Sequence, residues 1–183
     1  MAVSSLDCDF GAAAPAFALP DPDGRIYSLE DLAGPRGLLV MFICNHCPYV
    51  QSILDRILRD ARDLQALGIG VVAISSNDVT AYPQDAPPLM KAEAQRHGFS
   101  FPYLHDETQD VARAFDAQCT PDFFGYNARL QLQYRGRLDA SGRNAARPDA
   151  VRELYEAMAQ IAQTGMGPAH QVPSMGCSIK WKS

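Results

Sequence analysis

Positive charge is scarce: 16 Lys and Arg stand against 21 Asp and Glu in 183 residues, a formal net charge of −5. Phosphate backbones are held by clustered Lys and Arg, so nucleic acid is not expected as a partner. Long hydrophobic runs are missing too. None approaches the roughly 20 residues of a membrane-spanning helix, and no membrane partner is expected. The opening "MAVSSLDCDFGAAAPAF" has neither the basic start nor the apolar stretch of a secretory signal, which points to the cytoplasm. Cysteine is sparse and unevenly placed, at 8, 44, 47, 119 and 177, and that excludes a disulfide scaffold. There is no internal repeat and no low-complexity linker. With 47% hydrophobic residues the chain can still build one full core.

What is there is concentrated in "LLVMFICNHCPYVQSILDRIL", from Leu38 to Leu58. A continuous apolar run reads as a strand buried on both faces. From Pro48 on, Val50, Ile53, Leu54, Ile57, Leu58, Ala61, Leu64 and Leu67 recur at three- and four-residue steps and predict one amphipathic helix ending at Gly68. Cys44 and Cys47 therefore sit at a strand-to-helix seam. Free cysteine is often a small buried hydrophobe, and that is the alternative to a redox role. A helix N-terminus, however, aims unpaired N–H groups and a positive dipole end at a sulfur, which favours the thiolate. Pro48 is tolerated there because first-turn N–H groups have no helical partner. Cys44, nearer the loop, is the expected attacking thiol and the most readily alkylated, with Cys47 resolving the mixed disulfide. Asn45 and His46 are the expected tuning residues.

Along the rest of the chain, "PDG" predicts an N-terminal hairpin, and Ser28 with Asp31 forms a capping pattern. "IGVVAISSND" is a second buried strand. "PLMKAEAQRHG" and "TQDVARAFDA" are helices separated by the short strand "FPYLHD". "DFFGYN" and "LQLQYRG" are neighbouring strands, and a last helix opens at Pro148. This order predicts an α/β sandwich: a mixed central sheet flanked by helices, with an N-terminal hairpin extension. Ligand sites in such sheets lie beyond the carboxyl ends of parallel strands, where Cys44 to Cys47 and Asn77 and Asp78 both fall. The expected organisation is one domain over residues 1–164 and a C-terminal tail, 165–183, packed back on it.

Three segments carry a resemblance: "GAAAPAFALPDPDGRIYSLEDLAG", the "CNHC" after the strand, and "CTPDFFGYNARLQLQYRGRLD". With Thr120-Pro121 entering an apolar strand, the chain resembles the thioredoxin superfamily. Within it, the similarity is to the peroxiredoxin-like branch of alkyl hydroperoxide reductase and thiol-specific antioxidant proteins, over most of Gly11 to Asp139. The tail "PSMGCSIKWK" is similar to that of a bacterial subgroup of this branch. The resemblance implies a thioredoxin-like fold, a redox-active disulfide in place of any bound cofactor, and a cis peptide bond at Pro121 beside the dithiol. It implies thiol–disulfide oxidoreductase activity on protein or small-molecule thiols and disulfides, with peroxide as a further candidate substrate. Thioredoxins carry Gly-Pro between their cysteines and this chain carries Asn45-His46. A histidine before the second cysteine resembles the oxidising members. The peroxidases carry threonine at the position of Cys44 and an attacking cysteine followed by proline, like Cys47-Pro48.

Two enzymatic alternatives therefore stand: a dithiol oxidoreductase, and a peroxidase with Cys47 attacking and Cys44 resolving. A non-enzymatic alternative is metal binding by Cys44, Cys47 and Cys119 with His46 or His105, though no second ligand cluster has the spacing of a structural zinc site. Cys119, two residues before Pro121, and Cys177, in the tail, are candidate additional redox cysteines. Cys8 is taken as incidental. Val172, Met175, Ile179 and Trp181 are the expected apolar anchors of the tail.

Overall fold

A computed structural model describes residues 1–4 and 8–183. The first half of the chain forms β1 (Ala2–Ser4), β2 (Ala18–Pro20), β3 (Ile26–Ser28), α1 (Leu29–Leu32), β4 (Gly37–Phe42), α2 (Pro48–Gln51) and α3 (Leu54–Ala66). β5 (Ile69–Ser75), α4 (Pro87–His97), β6 (Tyr103–His105), α5 (Asp110–Ala114) and β7 (Cys119–Thr120) follow. The chain closes with β8 (Asp122–Asn127), β9 (Leu132–Arg135), α6 (Glu153–Thr164) and β10 (Met175–Ser178). Among the described residues no helix is long and apolar enough to cross a membrane.

β4 lies at the centre of a mixed sheet. It pairs antiparallel with β8, from Gly37 opposite Asn127 to Phe42 opposite Asp122, and β8 pairs antiparallel with β9. On its other side the N–H of Ile43 donates to the Ile74 carbonyl at 3.0 Å, and β5 pairs parallel with β6. The period of two along a strand divides the core into two layers. Leu39 and Met41 pack with Ile57, Leu64, Leu154 and Met158 on the face covered by α3 and α6. Val40 and Phe42 pack with Ile74, Leu104, Phe115 and Phe124 on the other face. The N-terminal hairpin pairs Ala18 with Ser28 and Pro20 with Ile26, and Ser28 and Asp31 form the expected capping box on α1.

The structure differs from the sequence expectation at three places. The single helix from Pro48 is two helices, interrupted at Ser52 and Ile53. Periodicity misses the break because Val50, Ile53 and Ile57 are buried on both sides of it. The last helix begins at Glu153 and not at Pro148, and Arg152 at its N-cap reaches across to Asp60 at 2.6 Å and Asp63 at 2.7 Å on α3. Finally, the N-terminus, for which the sequence predicts no element, contributes β1. That strand joins β10 and β7 in a separate antiparallel sheet, with Ala2 opposite Cys177 and Cys177 opposite Thr120.

Candidate active site

The site is assembled where β4 ends, where β5 ends and where β7 meets Pro121. Cys47 is the N-cap of α2, with Pro48 at the first helical position. Cys44 lies three residues earlier, in the loop leaving β4. Both side chains are buried, Cys44 at 3% exposure and Cys47 at 0%. The Thr120–Pro121 bond is cis. Thr120 touches both sulfurs: its Oγ1 is 3.6 Å from Cys44 Sγ, and its carbonyl oxygen accepts from the Cys47 thiol at 3.2 Å. The two cysteine side chains adjoin, and each bears on the other's titration.

Sequence reasoning missed the residue that organises this loop. Asp85, fully buried in the turn before α4, accepts the N–H groups of Asn45 at 2.9 Å and His46 at 3.2 Å on Oδ1. Its Oδ2 meets His46 Nδ1 at 2.5 Å and accepts from Asn77 Nδ2 at 2.9 Å. One carboxylate thus folds the Asn45-His46 segment and fixes its histidine. Asn45 is also held by Tyr103, whose hydroxyl donates to Asn45 Oδ1 at 2.9 Å, and it donates to the Gln84 carbonyl at 3.0 Å. The His46 ring stacks on Tyr82, with centroids 5.3 Å apart and planes 7° from parallel. An aspartate in the Pro-rich "AYPQDAPPL" looks like ordinary turn chemistry, and nothing in its spacing from Cys44 betrays the contact.

The expected pairing of exposure and helix dipole on Cys44 does not hold. The helix terminus belongs to Cys47, and neither sulfur is exposed. The electrostatics follow. The Cys47 thiol is drawn down to about 4 by the hydrogen bond from Cys44, against its own burial, with help from Thr120, Cys177 and the Val50 N–H. The Thr120 carbonyl acts the other way, since it accepts only from the protonated thiol, but the donors outnumber it. Cys44 is pushed up, first by its hydrogen bond to Cys47, then by burial and by the Asp85 charge. In the reduced pair one proton is therefore shared unequally: Cys47 carries the thiolate and Cys44 the thiol.

Asn77 joins the site through Asp85, whereas Asp78 accepts from the Thr80 N–H at 3.0 Å and serves a turn. Cys119 is buried behind the proline loop, its thiol donating to the Pro121 carbonyl at 3.4 Å, and burial raises its pKa. His105 stands on β6, outside this cluster. Cys44, His46 and Asp85 bring one sulfur, one ring nitrogen and one carboxylate oxygen within 4.8 Å of one another, a set that could hold a metal ion. Cys47, Cys119 and His105, offered by the sequence, are not in that set. A metal there would have to displace the His46–Asp85 bond that shapes the loop.

The tail returns to this same edge. The Ser174 hydroxyl donates to the Pro121 carbonyl at 2.7 Å, and the Lys180 N–H donates to Asn77 Oδ1 at 2.9 Å. Of the four expected apolar anchors only Ile179 is fully buried; Met175 and Trp181 stay 59% and 42% exposed and Val172 is half-buried. Strand pairing and hydrogen bonds hold the tail more than apolar burial does. A groove of about 650 Å³ opens beside it, lined by Tyr49, Ile53, Pro121, Phe123, Val172 and Met175.

The family model of the AhpC/TSA family matches residues 10–140. Peroxiredoxin Bcp of Escherichia coli is 31% identical over 136 residues, covering 73% of this chain and 80% of its own. An uncharacterized conserved protein of Geobacillus kaustophilus has a solved structure with a TM-score of 0.93 and 44% identity, covering 100% of this chain and 97% of that one. The thioredoxin domain of a thiol-disulfide oxidoreductase from Bacteroides vulgatus shares the fold, with a TM-score of 0.59 at 16% identity over 70% of this chain and 89% of that one.

Proposed function

The chain belongs to the AhpC/TSA family, and from that premise we propose that it is a thiol–disulfide oxidoreductase working through a Cys44/Cys47 couple, with Cys47 as the sulfur that exchanges with substrate. The observation carrying this reading is the contact of Thr120 with both sulfurs at a helix start. The stabilised Cys47 thiolate favours the reduced protein over its disulfide, so the couple lies toward the oxidising end. A substrate thiolate attacks Cys47 Sγ in the Cys44–Cys47 disulfide, and Cys44 leaves and takes a proton. The second substrate thiolate then attacks the substrate sulfur of the mixed disulfide, and Cys47 leaves as a thiolate. A substrate dithiol becomes a disulfide, the protein disulfide becomes one thiol and one thiolate, and one proton is released. A low-pKa sulfur is a good leaving group for the last step.

The test is equilibration with glutathione buffers followed by non-reducing peptide mapping. A Cys44–Cys47 disulfide is expected as the first product, and an oxidised protein with no internal disulfide at Cys47 would sink the reading. The midpoint should lie above the roughly −270 mV of thioredoxin. Because reduction by two electrons takes up one proton, the midpoint should shift by about 30 mV per pH unit near neutrality. Two-proton behaviour, about twice that slope, would mean that Cys47 is an ordinary thiol.

A second reading is favoured by the complete burial of the Cys47 thiolate, which a small peroxide can reach more easily than a folded protein can. Cys47 would attack the peroxide oxygen, releasing the alcohol or water and becoming a sulfenic acid. Cys44 would then condense with it to the disulfide and water. Hydrogen peroxide consumption with dithiothreitol as reductant separates the two.

A further inference from the structure

A fully buried dithiol must still exchange electrons with partners outside, and the fold places a third thiol between them. Cys177 lies on β10 directly opposite Thr120 in an antiparallel pair, and Thr120 is the residue that touches both Cys44 and Cys47. Its side chain packs against the cluster that contains both sulfurs, and it is half-buried where they are buried. The preceding residue shows that this approach is built in. A Cβ on Gly176 would overlap the Thr120 carbonyl oxygen, so only glycine lets β10 come this close. Ser174, bound to the Pro121 carbonyl, and Lys180, bound to Asn77, fix the strand on either side of Cys177.

We propose that Cys177 is a third redox cysteine, which takes over the disulfide from the buried pair as Cys47–Cys177 and presents it at the surface. This rests on the dithiol reading above. In the step, the Cys177 thiolate attacks Cys47 Sγ; the Cys47–Cys177 bond forms as the Cys44–Cys47 bond breaks. Cys44 leaves with the electron pair and takes a proton, and the proton of Cys177 goes to water. No outside oxidant or reductant is consumed. Thr120 spans the two, pairing with Cys177 on one strand and accepting from the Cys47 thiol on its carbonyl oxygen, the neighbourhood such an attack starts from. Met175, two residues earlier and so on the same face of β10, lines the groove beside Pro121, where a thiol-bearing partner can approach.

The test uses the full-length Cys44→Ser variant and oxidised glutathione. Cys47 attacks glutathione disulfide and releases one glutathione; Cys177 then displaces the second. Peptide mapping should find an internal Cys47–Cys177 disulfide, and the glutathione adduct on Cys47 should persist on the order of tenfold longer or more when Cys177→Ser is added. A stable adduct on Cys47 with Cys177 still open to alkylation would overturn the proposal while leaving the Cys47 chemistry intact. A Cys47–Cys119 disulfide would overturn it as well. No reaction at Cys47 would bring down the dithiol reading and this inference with it. As a second variant, Cys44→Ser with Gly176→Ala should keep its far-ultraviolet dichroism but accumulate the adduct. Unimpaired closure in that protein would show that the β10 pairing does not deliver Cys177.

Discussion

Replacing Cys47 by serine is expected to abolish disulfide exchange, lowering the rate on the order of a thousandfold or more, as loss of a nucleophile does. Cys44→Ser should be milder, because Cys47 keeps its helix N-terminus and the Val50 N–H, and Cys177 can still close on it. The measurement is reduction of a peptide disulfide by each variant, with iodoacetamide labelling of the reduced proteins mapped by mass spectrometry. Cys47 should label first wherever reagent reaches the site, and its labelling rate should stay flat from neutral pH down toward about 4, where the thiolate is protonated. The sign is that of any acid whose folded pKa is depressed. The stability that the thiolate adds to the reduced protein is complete above the unfolded value, roughly 8.5, and is lost as pH falls through the folded one. An inactive Cys44→Ser beside an active Cys47→Ser would return the attack to Cys44.

That assignment shows where the sequence could and could not be read. The strand–dithiol–helix seam, the apolar β4 and β5, and the pairing of Thr120-Pro121 with the cysteines were legible, because each rests on local patterning or on the resemblance. The burial of both sulfurs was not, nor was Asp85 folding the Asn45-His46 segment from 39 and 40 residues away. The pairing of the tail with β7, a segment far away in sequence, was equally hidden. Apolar composition found the docked tail through Ile179, which is buried, but not the pairing of β10 or the hydrogen bonds of Ser174 with Pro121 and Lys180 with Asn77, polar contacts that periodicity ignores. His46 was expected to tune a cysteine directly. Its ring is bound to Asp85 and stacked on Tyr82, with a ring nitrogen within 4.8 Å of the Cys44 sulfur, and neither partner was legible in the sequence.

Asp85 is accordingly where the second large effect is expected. Asp85→Ala should lower the unfolding free energy by about 3 kcal/mol, since it strips the acceptor from two backbone N–H groups and from the buried Asn77 amide. Urea denaturation of the reduced protein measures this, and a loss within about 0.5 kcal/mol, the range of an ordinary surface change, would remove Asp85 from its organising role. Asp85→Asn separates shape from charge. Its side-chain oxygen can still accept from Asn45 and His46, so part of the stability should return, though its NH2 group faces the Asn77 amide where an acceptor stood, while the negative charge beside Cys44 is gone. That charge is one of the forces that push Cys44 up, behind its hydrogen bond to Cys47 and its burial. Without it the negative charge of the reduced pair costs less, so the reduced protein gains on its disulfide and the midpoint potential at neutral pH should be higher in Asp85→Asn than in the native protein. If the two midpoints coincide, Asp85 holds the loop in place without setting the electrostatics of the dithiol.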